Sequence, residues 1–360
     1  MSASRVRPAA APARRQAPGE FELLAQVRSA VEKIGRGPGV IVGIGDDAAV
    51  VASPSSGRPL ALTTDSMIEG VHYRASWLTP KELGARAFRA AVSDVAAMGA
   101  RPRFVLLSLE IPADDARFGA TQALQLVRAV AAEARKSGAT LVGGNVSAAP
   151  RTGVTVTVVG EAAGRPLLRR GAKAGDLVFV TGTLGGAAAG WRSLLAHDEA
   201  KTRNRVALLP SATSAFRRPP LRIEFAALLA ARGLAHAMVD VSDGLLQDLG
   251  HLATQSQVAL RIDAGRVPVH AAARRFRGSP SPLELALSGG EDYELAFTAP
   301  AAKRPAIEKV AAATRTPLRV VGVVGKGPGA VTDPDGRPFA LASTGHDHLR
   351  NQAARPTRKA

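Results

Sequence analysis

What most restricts the folding of this sequence is the placement of its carboxylates. Asp46-Asp47, Asp65, Asp94, Asp240 with Asp243, and Glu291-Asp292 sit among Gly, Ser and apolar residues, most of them at the end of a strand-like run or the start of a helix-like one. An acid on a helix surface ordinarily sits among Lys and Arg. Carboxylates gathered at strand ends repel one another unless cations neutralise them. Mg²⁺ takes hard oxygen ligands and usually keeps waters while bridging to substrate phosphates. A rim of several carboxylates is therefore what metal-assisted phosphoryl transfer requires. Plain structural readings exist beside this one. Asp46-Asp47 after Gly45 suits a turn, Asp65-Ser66 and Asp243-Gly244 suit helix caps, and Asp240 suits a strand-end surface acid. Asp94 is different, because it lies inside the Ala-rich stretch 90–97. A buried carboxylate needs a partner, and Arg89 is not at the three- or four-residue spacing that would supply one. Phe88, Val92 and Met98 read as core.

Apolar periodicity places these acids on elements. Helical spacing over 21–34 ends at Gly35, and strands are predicted over 40–44, 48–52 and 60–64. Thr79 as cap, Pro80 at the first helical position and Glu82 in a capping box predict a helix that runs to Gly99. A strand over 104–111, a helix over 114–136 and strands over 140–142 and 154–159 follow. Gly164-Arg165-Pro166 interrupts the pattern. Beyond it come a strand at 177–181, a helix at 182–195, a strand at 239–241, a helix at 243–254, a strand at 295–298, a helix at 307–313 and a strand at 318–324. The alternation predicts an α/β (α+β) fold, with an N-terminal domain over 20–165 and a C-terminal α/β domain over 166–348. The flanks, 1–19 and 349–360, are Ala/Pro/Arg-rich and read as disordered basic tails.

Composition removes several function classes. The 360 residues, 46% hydrophobic, suffice for two domains. Without Cys there are no disulfides, thiolate metal sites or Cys nucleophiles. The net charge of +17 suggests nucleic acid, but eight of the basic residues are in the tails (Arg5, Arg7, Arg14, Arg15, Arg350, Arg355, Arg358 and Lys359), leaving +9 on the body. Aromatics make up only 4%, too few for a base-stacking platform, so nucleic-acid binding is the weaker reading. No apolar run approaches the roughly eighteen residues of a spanning helix. Pro8, Pro12 and Pro18, with Arg14 and Arg15, interrupt any signal-peptide core, so a cytoplasmic protein is expected.

Familiar phosphate loops are missing. Residues 322–327, Gly-Val-Val-Gly-Lys-Gly, have the wrong spacing for a P-loop and no hydroxyl after the Lys. Gly43, Gly45 and Ala48 with Asp65 imitate a dinucleotide fingerprint. Asp46 and Asp47 would stand where the pyrophosphate binds, however, and Pro54, Ser55, Ser56 and Gly57 break the required helix. No Ser-His-Asp set or H-E-x-x-H helix is present. His72 and His251 fit either general bases or core residues. Transfer to a phosphate needs no strong base, because positioning and charge neutralisation dominate.

Taken together, the motifs resemble the thiamine-monophosphate kinases. They are Gly43-Ile44-Gly45-Asp46-Asp47-Ala48-Ala49, Thr63-Thr64-Asp65-Ser66 with Gly70-Val71-His72, and Ser93-Asp94-Val95-Ala96-Ala97-Met98-Gly99-Ala100. Further on come Arg169-Arg170-Gly171-Ala172-Lys173-Ala174-Gly175-Asp176, Asp240-Val241-Ser242-Asp243-Gly244-Leu245 and Ser288-Gly289-Gly290-Glu291-Asp292-Tyr293-Glu294-Leu295, in family order across 20–348. The resemblance implies a two-domain fold shared with aminoimidazole ribonucleotide synthetase and selenophosphate synthetase. The N-terminal mixed sheets of two subunits would pair in a homodimer, and the γ-phosphoryl group of ATP would pass directly to thiamine monophosphate. It implies several Mg²⁺ ions held by Asp47, Thr63, Thr64, Asp65, Asp94, Asp240 and Asp243. It places ATP at Gly144, Asn145, Arg169 and Ser242, and the thiamine phosphate at His72, Glu291 and His346, with no covalent nucleophile. Two departures stand out. The family's Gly-Gly-Asp followed by Thr and Arg reads Gly143-Gly144-Asn145-Val146-Ser147-Ala148, and His346 stands where the family has an aromatic residue packed on the substrate. The rival expectation is a sister ATP-dependent synthetase of the same fold acting on another substrate.

Overall fold

The structure, a computed structural model, describes residues 20–34, 38–53, 57–112, 118–200, 209–277, 279–341 and 345. The tails and His346 lie outside the described residues. The chain divides into a small unit that holds α1 (Glu20–Ile34) and a body of residues 36–346. Helix α1 carries Leu23, Leu24, Val27 and Val31 at helical spacing, all exposed.

The body contains two six-stranded sheets. The first is built from β1 (Val40–Val42), β2 (Ala49–Val51), β3 (Leu60–Ile68), β4 (Ala100–Ile111), β5 (Thr140–Ala148) and β6 (Gly153–Ala162), in the order β1-β2-β3-β6-β4-β5. Helix α2 (Pro80–Ala97) joins β3 to β4, and α3 (Ala120–Lys136) joins β4 to β5. Only β4 and β5 run parallel in this sheet, as a helical crossover requires. The second sheet uses β7 (Asp176–Thr181), β8 (Ala237–Val241), β9 (Ala259–Ile262), β10 (Glu294–Pro300), β11 (Leu318–Gly325) and β12 (Ala330–Thr332), in the order β12-β9-β11-β7-β10-β8. Its helices are α4 (Gly186–Ala200), α5 (Pro210–Arg217), α6 (Ile223–Ala231), α7 (Leu245–Ser256), α8 (Ala271–Arg275), α9 (Pro282–Ser288) and α10 (Arg304–Ala313). The expected α/β class with mixed sheets stands. Among the described residues no helix is long and apolar enough to cross a membrane.

Helix α2 is the element on which the site depends. Its start follows the sequence signals. Thr79 Oγ1 accepts from Glu82 N at 3.2 Å, and Glu82 Oε2 accepts from Thr79 N at 2.8 Å. Gly99, at φ 67°, ends it. The helix is buried on nearly every side, with Phe88, Val92, Val95 and Met98 in the core. Small residues allow that packing, since a Cβ on Gly84 would strike the Leu126 carbonyl oxygen of α3. Two buried arginines tie α2 outward. Arg89 donates through Nε to Glu133 Oε2 on α3 at 2.9 Å and through Nη1 to the Pro219 carbonyl at 2.6 Å. Arg86 reaches Phe216 and Glu291.

Several elements differ from the sequence reading. Strand β5 runs to Ala148, so Gly143, Gly144 and Asn145 lie within a strand. Helix α3 begins at Ala120 rather than at 114, with residues 113–117 outside the described ones. Helices α5, α6, α8 and α9 and strands β9 and β12 had no counterpart in the periodicity analysis.

Removing the cap of α2 tests how far this helix supports the body. Thr79→Ala should destabilise the protein by about 1 kcal/mol. The urea midpoint should fall with an unchanged slope, and an unmoved midpoint would show the capping box to be dispensable.

Candidate active site

Three separate segments bring the expected carboxylates together. Asp47 follows β1, Asp94 lies in the last turns of α2, and Asp240 lies near the end of β8. A carboxylate oxygen from each falls within 4.8 Å of the others. Hydroxyls hold two of them. Thr63 on β3 donates to Asp94 Oδ2 at 2.6 Å, and Ser93 donates to Asp240 Oδ2 at 2.8 Å. Arg169 holds the third, donating from Nε and Nη2 to Asp47 Oδ1 at 3.0 and 2.6 Å. Its backbone N–H also donates to Asp46 Oδ1 at 3.2 Å. Asp47 Oδ2 is buried with no hydrogen-bond partner.

The electrostatics follow from that crowding. Burial, then the charges of Asp240 and Asp47, push the Asp94 carboxyl well above the usual range. Burial and Asp47 push Asp240 up to about 7, and the same two causes raise Asp46 to about 6. Thus the cluster sheds its protons at higher pH than isolated carboxylates would. An all-oxygen donor set with an unpartnered buried oxygen fits a hard divalent cation.

A second group lies beside the first. Asp243, Asp248 and His251 also offer ligand atoms within 4.8 Å of one another. The segment that carries Asp243 packs backbone to backbone against the loop at 288–293. Glu291 N donates to the Ser242 carbonyl at 2.7 Å and Tyr293 N to the Val241 carbonyl at 2.8 Å. A Cβ on Gly290 would collide with the Ser242 carbonyl oxygen, which explains the glycine. Glu291 and Tyr293 adopt positive φ, 74° and 50°, and non-glycine residues hold such angles only where the surroundings impose them. Glu291 is ion-paired with Arg86, whose guanidinium lies 4.0 Å from the Phe216 ring centroid. Asp292 turns the other way and caps α4, accepting from Gly185 N at 2.6 Å and Ala187 N at 3.1 Å. This acid has a structural role.

Other expected residues lie elsewhere. Thr64 faces the opposite side of the sheet from Thr63 and shares a hydrogen bond with Thr157 at 3.0 Å. Asp65 Oδ1 accepts from Ser66 N at 2.7 Å, and its charge acts on Arg86 and Asp94. His72 accepts from Ile68 N at 3.0 Å in the turn after β3. Gly144 and Asn145 are on β5, where Asn145 pairs with Ser108. From β3 to β5 is three strand spacings, roughly 14 Å, so one chain does not bring Asn145 to Asp65. Ser242 donates to Asp240 Oδ1 at 3.5 Å. The sequence reading overlooked Asp248 and Arg86. Asp248 sits among Leu245, Leu246 and Leu249, the same apolar context that marked Asp94.

Comparison with known proteins agrees with this architecture. Residues 45–164 match the family described as AIR synthase related protein, N-terminal domain, and residues 173–333 its C-terminal domain. Thiamine-monophosphate kinase of Haemophilus influenzae is 32% identical over 337 residues, 92% of this chain and 98% of the relative. That of Mycobacterium tuberculosis is 40% identical over 265 residues, 71% and 74% of the two chains. The solved structure of AaThiL complexed with AMPPCP and TMP has a TM-score of 0.77 at 32% identity, covering 92% of this chain and 97% of that one. Hydrogenase maturation protein HypE in complex with ATP, at 18% identity and a TM-score of 0.60 over 89% and 96%, shares the fold. Both domain matches and the near full-length identity place the chain in the thiamine-monophosphate kinase family, among the AIR synthase related proteins.

Proposed function

We propose that this protein transfers the γ-phosphoryl group of ATP to the phosphate of thiamine monophosphate, giving ADP and thiamine diphosphate, in a Mg²⁺-dependent reaction in the cytoplasm. The observation that carries the reading is the convergence of Asp47, Asp94 and Asp240, with an unpartnered oxygen on Asp47, in a chain of this family. In this reading the three carboxylates hold Mg²⁺, with Thr63, Asp65 and Asp243 alongside. Mg²⁺ supplies neutralisation of phosphate charge as the phosphoryl group moves. Arg169 and Ser242 orient the nucleotide, while His72 and Glu291 hold the acceptor. The acceptor phosphate is already an oxyanion, so the residues align it rather than deprotonate it. The neighbour with AMPPCP and TMP supports the pairing of a nucleotide with a second ligand. Incubation with ATP, Mg²⁺ and thiamine monophosphate should yield ADP and thiamine diphosphate in equal amounts, with no phosphorylated enzyme and no turnover of unphosphorylated thiamine. Inertness toward thiamine monophosphate, with turnover of a different phosphorylated acceptor, would overturn the assignment.

Asp240 allows a test in which activity and stability move in opposite directions. Asp240→Asn should lower kcat about a hundredfold, the scale of losing one electrostatic stabiliser. The carboxyl's folded-state value near 7 exceeds its ordinary value of 3.8, so the stability it contributes is full below the ordinary value and is lost as pH rises through 7. Without Mg²⁺ the variant's melting advantage over the parent should therefore be larger at about pH 8 than at about pH 5. Wild-type turnover in the variant, or a melting advantage confined to acid, would refute the role.

The proposed assembly is a homodimer through the outer face of the first sheet. That face exposes Phe104 and Leu106, and Val142 is exposed on the neighbouring edge strand β5. Pairing with a second copy would cover this apolar surface, and it offers the way for Asn145 to serve a site that its own chain does not bring within reach. Sedimentation should give twice the chain mass for the parent, and Leu106→Arg should shift it toward the monomer. A monomeric parent rules this assembly out.

A further inference from the structure

The start of α7 contains an arrangement that the phosphoryl-transfer reading leaves unused. Asp248 is 2% exposed, in the first turn of the helix. Its Oδ2 accepts from three consecutive backbone N–H groups: Ser242 at 3.1 Å, Asp243 at 3.2 Å and Gly244 at 3.0 Å. Gly244, at φ 135°, turns the chain so that these donors converge, and a Cβ there would lie 2.9 Å from the Ser288 carbonyl carbon. Helical side chains lean toward the N-terminus, which lets a residue four positions past the cap reach back over it.

Three successive N–H groups that converge on one point form an anion-binding nest. Here the nest is filled by the chain's own carboxyl oxygen. We propose that Asp248 is a positioning residue that clamps the 242–244 backbone, thereby fixing Ser242 for the nucleotide and Asp243 for its metal. The clamp needs an acceptor oxygen, and either a carboxyl or an amide supplies one. A phosphate oxygen cannot use these three donors while Asp248 occupies them, so contact with the nucleotide at this segment falls to the Ser242 hydroxyl. Asp248 also lies in the Asp243–Asp248–His251 group, so the competing role is that of a metal ligand, which would need the carboxylate charge.

Two variants separate these roles. The inference rests on the proposed kinase reading, so the primary measurement uses no substrate: amide hydrogen exchange across 242–244 in the full chain. Asp248→Asn keeps an acceptor and should hold exchange and Mg²⁺ affinity, by calorimetry, within about twofold of the parent. Asp248→Ala removes it, and should speed exchange and weaken Mg²⁺ binding about tenfold or more. In turnover, Ala should raise the KM for ATP while leaving that for thiamine monophosphate within about twofold. If Asn loses as much Mg²⁺ affinity as Ala, Asp248 is a ligand and the clamp is wrong. Parent-like exchange in Ala also overturns the clamp. If Ala does not fold, Asn alone still decides between clamp and ligand. A parent inert toward thiamine monophosphate would sink the kinase reading, while the exchange result would stand separately.

Discussion

The mutual repulsion of Asp47, Asp94 and Asp240 is the constraint that the rest of the molecule must satisfy. Buried like charges within a few ångströms favour protonation, and correspondingly Asp94 is raised by burial, Asp240 and Asp47, and Asp240 by burial and Asp47. The chain offers partial relief. Thr63 and Ser93 each donate one hydrogen bond, and Arg169 supplies one guanidinium. That is one cation against three carboxylates, and Asp47 Oδ2 still lacks a partner. Such a cluster survives in a folded chain only if elements with stability of their own hold its members in place. The cost of this charge crowding is therefore met by packing elsewhere, in α2 and the two sheets.

Helix α2 illustrates the point. Its Ala-rich sequence allows close approach to α3 and α6, and its burial commits Arg86 and Arg89 to the interior. Each finds a carboxylate from a distant segment, Glu291 and Glu133. Removing one partner of a buried pair leaves an uncompensated charge, about 3–5 kcal/mol. The same pairs therefore fix the angle at which α2 presents Ser93 and Asp94. Arg86 also links that geometry to Glu291, so the proposed acceptor contact and the carboxylate cluster share one helix as their reference.

The sequence disclosed what local rules govern. The start of α2 was legible because Thr79, Pro80 and Glu82 are a self-contained signal, and its burial because Asp94 had no neighbouring base. The strands that carry Thr63 and Asp240 were visible as short apolar runs. Pairings set by tertiary contact were not. Arg169 meets Asp47 from 122 residues away, and no periodicity encodes that. Strand β5 was read as three residues because Gly143-Gly144 look like a turn, whereas in place they extend the strand, and a Cβ on Gly144 would strike the Leu107 carbonyl. Helix α6 was missed because Ile223–Ala231 is apolar apart from Glu224 in its first turn, without the two-faced pattern that marks a surface helix. Asp292 looked like a member of the acidic rim because capping of α4 from 105 to 107 residues away leaves no trace beside it.

Arg169 shows how the cluster and a nucleotide can share one residue. Its resemblance role is contact with ATP, yet its Nε and Nη2 are both engaged by Asp47 Oδ1. These are not exclusive uses of a guanidinium, which carries five N–H donors in one plane. With Nε and Nη2 turned to Asp47, the Nη1 edge remains for a phosphate oxygen, and the ion pair fixes the direction of that edge. The raised pKa of Arg169 agrees, since the charges of Asp47, Asp240 and Asp46 outweigh its burial. A lysine could supply the charge but not two directions at once. The carboxylate that is hardest to accommodate in the cluster thus also orients the cation that the nucleotide would meet in the proposed reaction, and its second oxygen, Asp47 Oδ2, stays buried without a hydrogen-bond partner.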